Sequence, residues 1–187
     1  ESFDADTKNQ IYTDIYNDSV WLTNLVENLL SVTRLEDGNM KLNKSAELID
    51  EIILEALNHI NKRSVEHKIT VCESDDIMLV DVDARLIVQV IINIVDNAIK
   101  YTPNGSEITI STERKDDMIS VSIADNGNGI ADNLKDKVFD MFYTGANKIA
   151  DSRRSLGLGL SLCKTIISAH GGEITVSDNN PHGAVFT

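Results

Sequence analysis

From residue 46 onward two hydrophobic periods interleave in an order that a doubly wound parallel sheet cannot accommodate. Apolar residues recur at helical spacing over 46–64, at Leu48, Ile52, Ile53, Ala56, Leu57 and Ile60, and again over 83–101. Between and after these segments the period drops to two. Short strands are expected at 69–72 and 77–80, then a longer pair at 107–113 and 118–125 joined through Lys115-Asp116-Asp117. A last helix is expected over 158–170, stopped by Gly171-Gly172, with closing strands at 173–177 and 184–187. Helices mixed with hairpins in this way predict an α/β fold of the two-layer sandwich type, with helices over one face of a sheet.

Ahead of this unit, residues 6–36 contain neither Gly nor Pro and carry Ile11, Ile15, Leu22, Leu25, Leu29 and Val32 in a heptad rhythm that Asp18 interrupts. A helix with that stripe cannot bury it alone and needs partner helices; Asp37-Gly38-Asn39 ends it. The 187 residues therefore suffice for one domain with a full core plus an appendage. A formal charge of −13 and an isoelectric point near 4.6 disfavour nucleic acid as a partner, because a polyanion would be repelled. Cys72 and Cys163 form no C-x-x-C pair and are expected to be free core thiols in a reducing compartment. Apolar runs such as 88–94 are too short for a bilayer span and no secretory signal is visible, so the expected location is cytoplasmic. The last strand stops abruptly at Thr187, as in a chain cut from something larger.

Three features carry chemistry. The first is N-I-V-D-N-A-I-K-Y within the 83–101 helix: at about 100° per residue Asn93, Asn97 and Lys100 share one polar stripe, while Ile91, Ile94, Val95 and Ala98 cover another face. Two amides and an ammonium on a mostly buried helix suit a magnesium–polyphosphate ligand; the same stripe also suits an exposed polar face. The second is D-N-G-N-G-I at 125–130, where a strand ends in Asp125 and Gly127 and Gly129 let the backbone approach a flat ligand. Asp125 can accept from an exocyclic amine such as adenine N6, where guanine presents an acceptor; an ordinary Asn-Gly turn remains the alternative. The third is S-L-G-L-G-L-S-L at 155–162, in which Gly157, Leu158 and Gly159 open a helix whose first N–H groups suit phosphate oxygens. Neither glycine cluster completes a generic phosphate loop. Leu158 and Cys163 occupy the glycine positions of G-x-x-x-x-G-K-[ST], and Asp132 and Leu162 break G-x-G-x-x-G.

In this order, with the Phe-bearing stretch 138–142 and an aperiodic segment 145–155 read as a mobile loop, the features resemble the catalytic ATP-binding domain of sensor histidine kinases. That domain belongs to the wider group of gyrase, Hsp90 and mismatch-repair ATPases. The resemblance spans 46–187, and V-E-N-L-L-S-V-T-R-L-E-D-G before it is similar to the second helix of a dimerisation and phosphoacceptor domain, assigned here to 1–40. It implies a Bergerat-type fold and Mg-ATP as ligand. Asn93 and Asn97 match the N box, with Asn97 the leading magnesium ligand and Asn93 the second. Lys100 matches a phosphate contact and Tyr101 a side chain against the nucleotide. Asp125, Gly127, Gly129 and Ile130 match the adenine-binding G1 box, Phe139 and Phe142 the F box that anchors a lid, and Gly157, Leu158 and Gly159 the G2 box at the triphosphate. Arg153 and Arg154, ahead of Lys148, are the basic lid residues expected to meet phosphate. His170-Gly171-Gly172, Gly183 and Phe186 resemble structural signatures of the C-terminal hairpin.

Relatives that hydrolyse ATP typically carry a Glu four residues before the box asparagine. Here Asn93 stands there, and an amide cannot serve as general base. The resemblance therefore implies protein-histidine kinase activity rather than hydrolysis, with relay to an aspartate on a response regulator receiver domain. A serine kinase of the anti-sigma type and a nucleotide-responsive interaction module on the same fold are the alternatives. None of His59, His67, His170 or His182 lies in the phosphoacceptor context, so that histidine is expected upstream of Glu1 and this chain is not expected to phosphorylate itself. The parent is expected to be a membrane-anchored homodimer joined through its helical domain, and the helix and N box are most similar to Kdp-type potassium-responsive sensors.

Overall fold

The computed structural model describes residues 4–36, 41–60, 66–72, 76–144 and 157–187. Helix α1 (Ala5–Glu36) is followed by β1 (Ser45–Leu48), α2 (Ile49–Ile60), β2 (Lys68–Val71), β3 (Leu79–Val82) and α3 (Ala84–Tyr101). Then come β4 (Glu107–Lys115), β5 (Met118–Asp125), the short α4 (Asp132–Lys135), a 3-10 turn at Lys137–Phe139, α5 (Gly159–Ala169), β6 (Val176–Asp178) and β7 (Ala184–Phe186). Five strands form one mixed sheet in the order β2-β4-β5-β7-β6, parallel only between β2 and β4. Strands β1 and β3 form a separate antiparallel pair.

The core lies between the sheet and α2, α3 and α5. Ile108, Ile110, Ile123 and Phe186 are buried from the strands, and Ile53, Ala56, Val95, Leu162 and Ile166 from the helices. Strand alternation decides where function can sit: Ile123 and Asp125 are two residues apart and share the helix-facing side of β5. Register places Ile108 opposite Asp125, so the carboxylate ends the row of core side chains. The two-layer α/β arrangement expected from the mixed periods is the one found.

Helix α3 stops where expected. Thr102 caps it through its N–H and its Oγ1, both donating to the Ala98 carbonyl at 3.2 and 2.7 Å, and Pro103 follows. Its other end is tied to α5. The Asp83 N–H donates to His170 Nε2 at 3.0 Å, so His170 carries its proton on Nδ1, which donates to the Ile166 carbonyl at 2.8 Å. His170 thus links the start of α3 to the end of α5, the structural role expected of it. Gly171, at φ +83, completes the helix stop as Gly172 N–H returns to the Ile167 carbonyl.

Four expectations need correction. The helix expected over 46–64 begins only at Ile49, because Ser45–Leu48 pairs as a strand with Leu79–Val82; Leu48 fits either period, and the partner strand decides. The strand expected at 77–80 is shifted to Leu79–Val82 by that pairing, and the strand expected at 173–177 is Val176–Asp178. Cys163 is buried as expected, but Cys72 is exposed at the end of an edge strand of the sheet. Helix α1 lies against α5, leaving Ile11, Tyr12, Ile15, Tyr16, Leu22, Val26 and Leu30 exposed. No helix among the described residues is long and apolar enough to cross a membrane.

Candidate functional site

The end of β5 supplies the best-defined group of the site. Asp125 is only 8% exposed, and its Oδ1 accepts from Gly127 N–H at 2.8 Å and from Ala184 N–H at 3.3 Å. Both bonds fall on one oxygen, which leaves Oδ2 as the acceptor for an incoming donor. A hydrogen bond to an ionised, water-poor carboxylate is roughly twice as strong as one between neutral groups. Gly127 is there because a Cβ would come within 2.6 Å of Thr102 Cγ2 and 3.0 Å of Asp125 Oδ1. Gly129 adopts φ +70 with the Gly183 carbonyl 2.9 Å from where its Cβ would be. Ile130 is half-buried against the core.

Helix α3 carries the four residues of the candidate polar stripe. Asn93 and Asn97 are half-buried while Lys100 and Tyr101 are exposed, with the Lys100 ammonium 5.4 Å from the Tyr101 ring centroid. Asn93 faces the first turn of α5: a Cβ on Gly159 would sit 3.9 Å from both its Cγ and Oδ1. Its Nδ2 is buried without a hydrogen-bond partner of good geometry, although the Cys163 thiol lies beside it. Burial pushes that thiol up to about 12, partly offset by the Asn93 amide, and the thiol donates to the Val90 carbonyl at 3.8 Å. The thiol therefore stays protonated and serves as packing between α3 and α5.

The described residues on either side of 145–156 come together beside the α5 start. Phe142 N–H donates to the Gly157 carbonyl at 3.1 Å, and a Cβ on Gly157, at φ +65, would overlap the Tyr143 carbonyl oxygen. Gly157 is thus required for close chain approach beside the α5 start, and Leu158 is buried beneath it. Phe139 is buried edge-on against Phe186, ring centroids 6.3 Å apart, whereas Phe142 is 61% exposed at φ +62. The F-box pair therefore divides into one core ring and one surface ring. Lys148, Arg153 and Arg154 lie outside the described residues. His59 is exposed near the end of α2, and His67, half-buried, lies 3.2 Å from Thr102 Oγ1.

Asn93, Asn97, Asp125, Gly157 and Gly159 are thus carried by α3, the β5 end and the α5 start around one region. The residues fit a magnesium–nucleotide ligand. The α5 start has no side-chain cap and no acidic residue in its first turn. No three His, Cys, Asp or Glu side chains converge among the described residues, so the ion would be shared with phosphate oxygens, as magnesium commonly is. Three residues escaped sequence reasoning: Thr102, which closes the Gly127 side, and Asn179 and His182, which reach Asp125 and Gly127 from the β6–β7 turn. The Asn-Asn-Pro-His-Gly composition signals a turn and nothing about what its side chains touch.

Residues 82–187 match the family model described as histidine kinase-, DNA gyrase B- and HSP90-like ATPase. The sensor protein KdpD of Clostridium acetobutylicum is 42% identical over 186 residues, covering all of this chain and 21% of that protein. The chain thus spans about a fifth of that relative's length. A nucleotide-free catalytic domain of the histidine kinase ThkA is 30% identical with a TM-score of 0.67, over 79% of this chain and 93% of that one. ThkA in complex with the response regulator TrrA gives a TM-score of 0.75 at 27% identity, over 99% of this chain and 51% of that one.

Proposed function

The chain belongs to the family of histidine kinase-, DNA gyrase B- and HSP90-like ATPases, and on that premise we propose that it is the kinase part of a two-component sensor histidine kinase. Residues 46–187 form the catalytic ATP-binding domain and 1–40 the second helix of a dimerisation domain. The substrate is Mg-ATP and the acceptor a histidine upstream of this chain, for relay to a response regulator receiver domain. The likeness to KdpD supports a Kdp-type parent; in this proposal that parent is membrane-anchored and dimeric, with this part in the cytoplasm. The observation that carries the reading is Asp125, buried at a strand end with one oxygen held and the other left for a base amine.

Asp125 Oδ2 accepts from adenine N6, while Gly127, Gly129 and Ile130 form the surface against which the flat base lies. Asn97 and Asn93 present amide oxygens to magnesium, and Lys100 and one of Arg153 or Arg154 neutralise phosphate. A magnesium ion held there would supply charge screening for the phosphates. Gly157 and Gly159 bring the α5 start close enough for its N–H groups to meet phosphate oxygens. With Asn93 in place of a carboxylate no side chain on α3 at that position takes a proton from water, which favours transfer over hydrolysis.

Calorimetric titration with non-hydrolysable ATP and GTP analogues, each with and without magnesium, tests the reading. Selective, magnesium-dependent ATP binding supports it, and phosphorylation of a phosphoacceptor helix supplied in trans extends it to the enzyme. Binding without transfer favours a nucleotide-responsive interaction module. Transfer to serine favours the anti-sigma type. No binding of either nucleotide sinks the assignment.

A further inference from the structure

Asp125 is held by its main chain as well as by its carboxylate, and the hold comes from one distant turn. Between β6 and β7, Asn179 donates from Nδ2 to the Asp125 carbonyl at 2.8 Å. His182 sets Nδ1 3.1 Å from the Gly127 carbonyl; a carbonyl only accepts, so Nδ1 donates. Ala184 N–H reaches Asp125 Oδ1 at 3.3 Å. Gly183, at φ +119, passes so close that a Cβ would overlap the Asp125 carbonyl oxygen, and its own carbonyl abuts Gly129. Asn179 is itself fixed: its Oδ1 accepts from Asn180 N–H at 2.9 Å, and its N–H donates to the Gly183 carbonyl at 3.0 Å.

We propose that the β6–β7 turn, through Asn179 and His182, positions Asp125 for base recognition and so sets base selectivity. The inference rests on the nucleotide reading above and deepens it. A carboxylate tells an amine from a carbonyl only while its accepting oxygen keeps its place, because hydrogen bonds weaken steeply with misalignment. The loop it heads contains two glycines in five residues and has little stiffness of its own. Asn126, at the loop's first bend, is tied to Glu107 on β4 at 2.9 and 3.3 Å, and the three bonds from the turn add stiffness at Asp125 and Gly127 on either side of it. Both Asn179 and His182 are positioning residues: Asn179 acts through the Asp125 main chain and His182 through the Gly127 carbonyl.

The test uses the full chain and four variants. Asn179→Asp keeps the shape but turns an acceptor toward the Asp125 carbonyl, and Asn179→Ala removes the side chain. His182→Ala removes the second donor, while His182→Asn carries an amide nitrogen to the position of Nδ1. Each is titrated with non-hydrolysable analogues of ATP and of inosine triphosphate, which bears a carbonyl where adenine bears its amine, and thermal midpoints are measured alongside. Losing one such hydrogen bond should shrink the ATP-to-inosine selectivity ratio roughly three- to tenfold in Asn179→Asp and Asn179→Ala. His182→Ala should shrink it less, and His182→Asn should restore it. A turn that only closes the sheet would lower the midpoint and leave the ratio unchanged, which overturns the proposal. Should the Asn179 variants not fold, the exposed His182 pair decides by the same ratio. A wild-type chain that binds neither nucleotide removes the nucleotide reading and this inference together, whereas wild-type selectivity with unchanged variants removes the inference alone.

Discussion

Asp125→Asn and Asp125→Ala separate two tasks of one carboxylate. Oδ1 satisfies the buried N–H groups of Gly127 and Ala184, and Oδ2 is the acceptor assigned to the base amine. Alanine abandons both donors, and leaving a buried N–H unsatisfied costs about 1–3 kcal/mol, so two cost about 2–6 kcal/mol. Asparagine keeps an oxygen for them and should cost about 1 kcal/mol, the loss of charge assistance. For the base the order changes. A hydrogen bond to a charged group contributes about 1.5–3 kcal/mol, so either variant should weaken ATP binding about 10- to 150-fold. Asparagine also turns a donor toward the adenine amine, and the same donor suits the carbonyl of inosine, so its selectivity should reverse. Urea unfolding of each variant followed by calorimetry with the two analogues measures both quantities. Asp125→Asn binding ATP within about threefold of wild type, or unfolding at the same urea midpoint as Asp125→Ala, would refute the division of labour between the two oxygens.

Other consequences are quicker to check. Ile53→Ala, at a fully buried position on α2, should lower unfolding free energy by about 2–5 kcal/mol in urea titrations. Gly157→Ala should reduce nucleotide affinity at least tenfold with a smaller effect on global unfolding, because its Cβ meets the Tyr143 carbonyl locally; unchanged affinity would show that the close approach is dispensable. With a thiol reagent, Cys72 should react in the native protein and Cys163 only after unfolding. Because burial raises the Cys163 thiol from 9.0 to about 12, the unfolded chain ionises it first, and its contribution to stability should decline as pH rises from about 9 toward 12; Cys163→Ala should flatten that slope. At the acid end, Lys68 and Lys135 hold the Glu107 and Asp132 carboxyls below their usual range. Their contribution is present above the ordinary carboxyl values and is lost as pH falls through the lowered ones, so Lys135→Met should reduce the acid dependence of unfolding.

The parts of the fold legible in the sequence are those encoded between near neighbours. Helix α3 could be read with its buried face and amide stripe because spacing alone sets which side chains share a side. Asp125 could be read as a carboxylate ending a strand because alternation over 118–125 has an unambiguous phase. The Gly171 stop needed only its place after the last periodic residue. Where the period was ambiguous the reading failed. Leu48 satisfies both the helix after it and the strand it belongs to, and only the pairing of Ser45 with Val82 settles the matter. Exposure of Cys72 was likewise unreadable, since it depends on β2 being an edge strand of the sheet.

Glycine illustrates the same boundary inside the site. The sequence marks Gly127, Gly129, Gly157 and Gly159 as permissive positions, but not what each of them approaches. In the folded chain Gly127 approaches Thr102, Gly129 approaches Gly183, Gly157 approaches Tyr143 and Gly159 approaches Asn93. Those distances belong to pairs far apart in the chain and follow from strand order and helix packing. By itself the sequence determined the helix faces, the strand phase that points Asp125 toward the core side, and the order of the motifs. The tertiary structure alone decided that Asn179 reaches the Asp125 carbonyl across 54 residues. The physical reason is that local periodicity is written in adjacent side chains, whereas a hydrogen bond between distant segments exists only once the sheet order β5-β7-β6 has brought them together.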